Sequence, residues 1–292
     1  MKRISIAIAA CAFTLATAFG FAQDYPWQPE RPITIIVPWA AGGSTDTMTR
    51  VVAGELEDHL GQNVVVVNQP GASGAIGTRN ALEAQHDCYT WAAGAASDLG
   101  SYVVLDTLDT HLDDWHLFLT VANTAVVGVN PNTPYEDFGQ LLEALRSNPG
   151  QVTVATAGQT SAGHNAMELI AQDQGVEYRH VSYDGGNPAV IATVGGETEV
   201  TTQLATEQAE MIRGNRIRPL AAVSPVPLEL DGYGTIPPIT DWLPDLEIPT
   251  NYFGIWVPKG APEECVETMT MIWEGPMQEA ESLQRYAAEM GA

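Results

Sequence analysis

The residues best suited to bind a ligand lie in a glycine-rich turn near the start of the chain. Residues 33–37 are an apolar run typical of a buried strand, and Gly42 and Gly43 then permit a tight turn before residues 44–46 open a helix. Backbone N–H groups at such a helix start point outward, and the helix dipole adds partial positive charge. We therefore expect this turn to hold a small anion.

A second turn of the same kind follows another predicted strand about half-way along the chain. Residues 155–164 read Ala-Thr-Ala-Gly-Gln-Thr-Ser-Ala-Gly-His, and a helical pattern begins at their end. Because the two turns belong to separate α/β units, we expect a ligand to be held between two lobes.

Strand and helix patterns alternate along the whole chain, which predicts an α/β fold. The sheets should be mostly parallel with helices on both faces, and ligands then bind beyond the carboxyl ends of the strands. We expect a first lobe over residues 24–126 plus 224–292 and a second over 127–223, with the proline-rich segment 224–249 as loop.

The N-terminus is typical of a secretory signal peptide. Two basic residues precede an apolar run over residues 4–16, and small residues lead up to a predicted cleavage after Ala22, so the signal peptide spans residues 1–22. A membrane anchor is disfavoured because the run is shorter than the roughly 20 residues that span a bilayer. The alternative is a lipoprotein, since Cys11 ends an Ile-Ala-Ala-Cys box. We expect an exported, periplasmic protein.

The charge of the chain excludes several classes of partner. Lys and Arg number 12 against 36 Asp and Glu, for a net charge of −24. Both basic residues of the signal peptide are lost on cleavage, which leaves 10 against 36 and a net charge of −26. Such a charge argues against binding to nucleic acid and to anionic membrane surfaces. Local backbone dipoles must therefore hold any carboxylate.

No pattern in the sequence predicts catalysis, a cofactor or a metal ion. Gln159 breaks the G-x-S-x-G pattern that would make Ser161 a nucleophile, so His164 is better explained as a hydrogen-bond partner at the helix start. The glycines of residues 71–77 do not have dinucleotide-binding spacing. Cys88 and Cys265 lack metal-site spacing, and the sequence leaves open whether they form a disulfide.

Together the motifs resemble the solute receptors of tripartite tricarboxylate transporters, the Bug/TctC-like periplasmic binding proteins. The motifs run in family order over nearly the whole mature chain: Arg-Pro-Ile-Thr-Ile-Ile-Val-Pro at 31–38, Gly-Gly-Ser-Thr-Asp at 42–46, Asn-Gln-Pro-Gly-Ala-Ser-Gly-Ala-Ile-Gly at 68–77, Ser-Ala-Gly-His at 161–164, His-Val-Ser-Tyr-Asp-Gly-Gly at 180–186 and Tyr-Phe-Gly-Ile-Trp-Val-Pro-Lys-Gly-Ala-Pro at 252–262. The resemblance implies a type II-like Venus flytrap with two interlobe crossings. It also implies capture of a small organic carboxylate and delivery to the integral-membrane subunits of such a transporter.

The resemblance also assigns candidate ligand-binding residues. In similar proteins the turn matching 38–46 holds the ligand carboxylate from one lobe, and the turns matching 160–164 and 183–186 close on it from the other. The segments matching 94–98 and 201–204 line the two sides. The candidates are Trp39, Ala41, Gly42, Gly43, Ser44, Thr45, Asp46, Ser97, Thr160, Ser161, Ala162, Gly163, His164, Tyr183, Asp184, Gly185 and Gln203.

Several candidates have a structural alternative. Trp39 is either a hydrophobic wall of the site or the edge of the core, and Asp46 is better explained as a helix N-cap than as a ligand contact. Asp184 stands where similar proteins commonly have lysine, and Gln203 where an acid is common. Acids scattered on the helices are expected to be solvated.

The sequence leaves the ligand and the downstream partner open. Dicarboxylates, aromatic acids, amino acids and nicotinate-like acids all suit an anion-binding turn. An alternative function is a receptor that presents its ligand to a membrane sensor, and a hydrolase is disfavoured.

Overall fold

A computed structural model describes residues 25–292. The predicted signal peptide and the lipidation box at Cys11 therefore lie outside the described residues. None of the helices between Tyr25 and Ala292 combines the length and hydrophobicity that a membrane-spanning segment requires.

The predicted alternation of strands and helices is present throughout the described chain. The strands are β1 (Ile33–Val37), β2 (Val64–Asn68), β3 (Thr90–Ala95), β4 (Trp115–Ala122), β5 (Ala125–Val129), β6 (Thr153–Thr156), β7 (Arg179–Ser182), β8 (Val200–Leu204), β9 (Arg218–Ala222), β10 (Leu228–Leu230), β11 (Gly234–Ile236) and β12 (Tyr252–Pro258). The helices are α1 (Ser44–Leu60), α2 (Ala75–Leu82), α3 (Ala96–Val104), α4 (Phe138–Ser147), α5 (Ala162–Gln174), α6 (Gly186–Gly195), α7 (Ala205–Arg213), α8 (Glu263–Glu274), α9 (Pro276–Glu279) and α10 (Glu281–Met290).

Each lobe is built on one five-stranded sheet. The order is β2-β1-β3-β12-β4 in the first lobe and β7-β6-β8-β5-β9 in the second. β12 and β5 each pair antiparallel with both neighbours, so one strand in each sheet opposes the other four. Apolar side chains such as Ile33 and Ile35 of β1 are fully buried, because helices cover both faces of the sheet. The predicted two-lobed α/β fold is confirmed.

The assignment of strands to the two sheets places the first crossing after β4 and the second before β12. β5 belongs to the second sheet, so the first crossing lies at residues 123–124. The segment 224–249 was expected to be loop in the first lobe, and the structure differs. It contains the β10–β11 hairpin, whose Leu230 and Ile236 are buried in a cluster with residues of α6 and α7 in the second lobe. The second crossing then falls at about residues 248–251.

The C-terminal region ties the two lobes together. Three helices, α8, α9 and α10, follow β12, and α10 packs against both α1 and α7. The Tyr286 hydroxyl of α10 lies 3.5 Å from the carbonyl oxygen of Ser44. The question left open by the sequence is also answered, since Cys88 and Cys265 form a disulfide with a Cα–Cα distance of 6.4 Å. This disulfide joins the segment between α2 and β3 to α8 within the first lobe.

Candidate functional site

The carboxyl ends of four strands face one another across the cleft. β1 and β3 of the first lobe and β6 and β8 of the second each lead directly into a segment that lines a cavity, as expected for α/β sheets. The cavity between the two turns that were predicted to bind an anion, here called the turn pocket, has a volume of about 20 Å³. The neighbouring cavity at the two crossings, here called the crossing cavity, has a volume of about 210 Å³. Ala162 and Leu204 line both.

The turn after β1 closes directly onto the second lobe. Gly42 has φ +82°, a backbone conformation that favours glycine. The Ala40 N–H donates to the Asp184 carbonyl oxygen at 3.0 Å, so the turns predicted to close from opposite sides are in contact. The side chain of Asp184 itself is exposed. The departure from lysine at this position therefore changes the rim of the cleft, not the wall of the turn pocket.

The turn after β6 presents a helix N-terminus to the turn pocket. Ser161 caps α5, because its Oγ accepts a hydrogen bond from the His164 N–H at 3.3 Å and donates to the Gly158 carbonyl at 2.7 Å. Ala162 and Gly163 begin the helix and line the turn pocket. The first N–H groups of a helix have no acceptor within the helix. They are therefore placed to bind an anion.

A carboxylate of the chain itself already lies in the turn pocket. Oε1 of Glu207, in the first turn of α7, accepts a hydrogen bond from the Ser44 N–H at the start of α1 at 2.9 Å. Oε2 accepts from the Leu204 N–H at 3.4 Å. The amide of Gln203 is satisfied when its nitrogen donates to Glu207 at 2.7 Å and its oxygen accepts from the Ala157 N–H at 2.7 Å. Glu207 thus links the two lobes at the position where an anion was predicted.

Two further helices at the cleft also have an acid in the first turn that accepts a hydrogen bond from the backbone before the helix. In α1, Asp46 accepts from the Gly42 N–H at 2.9 Å, and in α3, Asp98 accepts from the Ala95 N–H at 3.3 Å. Each acid is the third residue of its helix, as Glu207 is in α7. The first turn of α5 contains no acid. The N-terminus of α5 therefore lacks the negative charge that Asp46, whose pKa is lowered, places at the start of α1.

Burial changes the ionisation of these acids. It raises the pKa of Asp98, which is 1% exposed, to about 8, although the Ala95 N–H and the Trp39 side chain oppose this by hydrogen bonding. It raises the pKa of Glu207 to about 7, against hydrogen bonds from Ser44 and Leu204. Burial alone would also raise the pKa of Asp46, but hydrogen bonds from Arg50, Gly42 and Asn68 hold it below its usual value.

The structure brings about half of the predicted site residues to a cavity wall. Those that line the turn pocket are Trp39, Gly43, Ser44, Thr45, Ser161, Ala162, Gly163 and Gln203, and Ser97 lines the crossing cavity. The predicted residues that line neither cavity are Ala41, Gly42, Asp46, Thr160, His164, Tyr183, Asp184 and Gly185. Thr160 contacts the other lobe instead, where its hydroxyl hydrogen-bonds to the Ser73 carbonyl. The Tyr183 hydroxyl bonds to Glu197 at 3.3 Å.

Two expectations about acidic residues need correction. Asp46 is not the N-cap of α1, which is Gly43; it bonds back to Gly42 from the first turn. Acids on helices are not all solvated, since Asp46 and Asp98 are 3% and 1% exposed. Trp39 belongs to the main hydrophobic core and also lines the turn pocket, so its two interpretations are compatible.

Sequence reasoning did not include all the residues of the turn pocket among its candidates. The wall also contains Asp98, Ala157, Gly186, Leu204, Glu207 and Phe253. The position of Glu207, three residues after the end of β8, was a usable signal, because an acid in the first turn of a helix commonly bonds back to the backbone before it.

Ser161 and His164 do not form a catalytic pair. The His164 imidazole has its Nδ1 3.2 Å from the Tyr178 hydroxyl and stacks on His180 at 4.4 Å, whereas the Ser161 hydroxyl donates to a backbone carbonyl. Between Tyr25 and Ala292, no three His, Cys, Asp or Glu side chains are grouped closely enough to hold a metal ion.

Two α/β lobes joined by two crossings, with helix N-termini opposed across the cleft, define a periplasmic-binding-protein-type receptor. The sequence profile described as tripartite tricarboxylate transporter family receptor matches residues 48–284, and the chain belongs to this family. The resemblance inferred from the motifs is therefore confirmed. The protein is a solute-binding receptor of that family.

Individual relatives agree with this assignment. A UPF0065 protein from Pseudomonas sp. strain P51, in the tcbD-tcbE intergenic region, is 30% identical over 269 residues, which cover 90% of this chain and 78% of the relative. A solved structure described as a periplasmic transporter is 30% identical with a TM-score of 0.82, covering 90% of this chain and 88% of the other. MatC from Rhodopseudomonas palustris, solved with bound malate, has a TM-score of 0.83 at 21% identity and covers 90% of both chains. At this identity the comparison shows that the two proteins share a fold.

Proposed function

We propose that the protein is a periplasmic receptor that captures a small organic carboxylate between its lobes and delivers it to the membrane subunits of a tripartite tricarboxylate transporter. One observation supports this best. The Ser44 N–H at the start of α1 already donates a hydrogen bond to a carboxylate, that of Glu207. A turn that accommodates an internal carboxylate has the geometry to bind that of a ligand.

The turn after β6 is the second part of the proposed carboxylate site. Ala162 and Gly163 present the N-terminus of α5, which carries no acid in its first turn. Within residues 25–292, no Lys, Arg or His lines the turn pocket or the crossing cavity. Recognition would then depend on amide and hydroxyl donors, which fix the orientation of a carboxylate without a salt bridge.

Ligand capture would follow from closure of the two lobes. A ligand carboxylate that contacts both turns binds only the closed arrangement well, so binding shifts the population toward it. The crossings at residues 123–124 and 248–251 are the segments that would change conformation. We assign no catalytic role to the site, in keeping with the hydrogen bonding of Ser161 to the backbone.

A thermal-shift screen of the mature protein against small carboxylates tests this proposal. A ligand at 100 times its dissociation constant adds about 2.7 kcal/mol to the free energy of unfolding, which a melting curve resolves readily. Mass analysis of the ligand recovered after incubation should find it unchanged. Turnover of the acid would contradict the proposal that the protein is a receptor without catalysis.

The Gly43→Asp variant locates the site. A Cβ at Gly43 would lie 3.2 Å from Oε1 of Glu207, so an added carboxylate would both crowd and repel an anion there. Binding of the acid found by the screen should be abolished. Gly54→Asp is the matched control, because it adds the same charge to an open position of the same helix. Retained micromolar affinity in Gly43→Asp would contradict the site assignment.

Export and delivery need separate tests. The protein recovered from the periplasm should begin at Gln23 if the signal peptide is cleaved as predicted. Uptake of the labelled acid by cells should require both the receptor and the transporter membrane subunits. Uptake that is unchanged without the receptor would favour a sensing role instead.

A further inference from the structure

The carboxyl group of Glu207 fills the turn pocket between the two lobes. Its Oε1 accepts a hydrogen bond from the Ser44 N–H at 2.9 Å, at the position where the ligand carboxylate is proposed to bind. The space that remains has a volume of about 20 Å³, room for about one water molecule. A ligand carboxylate is larger than a water molecule. It therefore cannot bind the Ser44 N–H while Glu207 does.

Both lobes contribute to the space that this carboxyl group occupies. In the first lobe, a Cβ at Gly43 would lie 3.2 Å from Oε1 of Glu207. In the second lobe, a Cβ at Gly186 would overlap the carboxyl group itself. Oε2 accepts from the Leu204 N–H at 3.4 Å and from the Gln203 amide nitrogen at 2.7 Å. Glycines leave room for the carboxyl group, and hydrogen-bond donors from both lobes surround it.

The hydrogen bond between Ser44 and Glu207 requires closed lobes. Ser44 begins α1 in the first lobe, and Glu207 lies in the first turn of α7 in the second. Ser44 and Leu204 are 1% and 5% exposed in the closed structure, so water has little access to their N–H groups. A buried N–H without an acceptor is unfavourable, whereas the same N–H in an open cleft binds water. By accepting from both, Glu207 stabilises the closed form of the empty cleft.

Other hydrogen bonds across the cleft lie outside the turn pocket. The Ala40 N–H donates to the Asp184 carbonyl at 3.0 Å, and the Asn165 amide donates to the Ser101 hydroxyl at 3.0 Å. None of these groups supplies an acceptor to the Ser44 N–H. Removing the Glu207 carboxyl group therefore tests its own contribution to closure.

We propose that Glu207 is a built-in substitute for the ligand carboxylate, which closes the empty cleft by bonding to Ser44 and which a ligand must displace. The closure of the empty protein does not depend on the proposed function, whereas the displacement by a ligand rests on it. A group that is attached to its own site competes at a high effective concentration. Glu207 therefore lowers the affinity of the protein for carboxylates that bind at Ser44.

Small-angle X-ray scattering of the mature protein, with no carboxylate in the buffer, tests the closure. Burial raises the pKa of Glu207 to about 7, so most of this group is protonated at pH 6 and no buried charge opposes closure there. At pH 6 the wild type should be as compact as the closed structure. Loss of the acceptor for one buried N–H shifts the ratio of closed to open protein about tenfold toward open. Glu207→Ala should therefore have a larger radius of gyration, whereas Glu207→Gln retains an acceptor oxygen and should stay compact.

Acetate separates loss of the carboxyl group from general damage to the protein. Its non-hydrogen atoms match those that Glu207→Ala removes, so it fits the space that the substitution leaves. Acetate should return Glu207→Ala to the radius of gyration of the wild type, and chloride at the same ionic strength should not. A folded, open Glu207→Ala protein that acetate does not close would overturn the proposal.

A second variant displaces the carboxyl group without removing it. Gly186→Ala places a Cβ where the Glu207 carboxyl group lies, so it should open the empty protein as Glu207→Ala does. Gly195→Ala is the matched control, because it adds the same methyl group at an open position of the same helix and should leave the scattering unchanged. Thermal melting confirms that each variant folds. A wild type that is open without ligand, or variants at 186 and 207 that stay as compact as the wild type, would overturn the proposal.

Ligand affinity tests the displacement and separates this inference from the proposed function. By calorimetry, the acid found by the thermal-shift screen should bind Glu207→Ala about tenfold more tightly than the wild type. Equal affinities would overturn the displacement and leave the proposed function standing. If Glu207→Ala opens and acetate closes it, but no acid of the screen binds the wild type or Glu207→Ala, the proposed function fails and the closure by Glu207 stands.

Discussion

Glu207 makes the stability of the protein depend on pH in a defined range. Burial raises the pKa of Glu207 from 4.5 to about 7 in the folded protein. As the pH rises, the Glu207 carboxyl group therefore loses its proton at a lower pH in the unfolded chain than in the folded chain. The contribution of the protonated group to stability is fully present below pH 4.5 and is lost as the pH rises through about 7. The neutral variant Glu207→Gln should remove this dependence.

The size of the effect follows from the change in pKa. Since a tenfold change in ionisation is worth about 1.4 kcal/mol, ionised Glu207 costs the folded state about 3 kcal/mol. Residual solvent exposure of Glu207 and the altered contact with Gln203 reduce this cost. We therefore expect Glu207→Gln to raise the free energy of unfolding by about 2 kcal/mol at pH 8. At pH 8 the melting temperature of Glu207→Gln should therefore exceed that of the wild type by about 5 °C. At pH 4.5 the two should be nearly equal.

Thermal unfolding of both proteins between pH 4.5 and 8 measures the difference. Asp98 also has a raised pKa, but it is present in both proteins, so the difference between the two melting curves isolates Glu207. Glu210→Gln, at an exposed position of the same helix, is the matched control and should melt like the wild type at every pH tested. A Glu207→Gln protein that is less stable than the wild type at pH 8 would refute the reasoning. The hydrogen bonds to the ionised carboxylate would then outweigh its burial.

Two further predictions concern the first lobe. Cys265→Ser should lower the free energy of unfolding by about 2–4 kcal/mol. Reductant should destabilise the wild type by a similar amount and leave the variant unaffected. A wild type whose stability does not change with reductant would contradict the disulfide. Asp46→Asn should lose about 1–2 kcal/mol at pH 7, because it weakens the bonds to Gly42 and Arg50. Since the pKa of Asp46 is lowered in the folded protein, the contribution of its carboxylate to stability is lost as the pH falls. Denaturant unfolding should therefore show a smaller difference in stability between the wild type and Asp46→Asn at pH 3 than at pH 7. An equal difference at both pH values would contradict this prediction.

Elements that are decided by local pattern could be predicted from the sequence. The bounds of β1 are as expected, residues 33–37, because this strand is an apolar run that leads into a glycine turn. The two glycine-containing turns could be predicted for the same reason, since glycines and hydroxyl residues follow a strand in each. The β10–β11 hairpin was missed because the prolines around it indicated loop. Leu230 and Ile236 form strands there because the second lobe offers them a buried surface.

Features that depend on packing between the lobes could not be predicted. Glu207 shares its helix with one other acid, Glu210, which is exposed. Only the approach of the first lobe encloses the carboxylate of Glu207 against Ser44. The crossing cavity likewise requires Asn123 and Asn251, which are far apart in the sequence, to meet at the two crossings. Periodicity and local motifs carry no information about such contacts.

Amide chemical shifts measured during titration test the central claim most directly. The mature protein, labelled with ¹⁵N, would be titrated with the acid that gives the largest thermal shift. The account predicts that the amides of Ser44, Thr45, Ala162 and Gly163 shift together and saturate at the same ligand concentration. Saturable shifts confined to residues outside the two turns would contradict it.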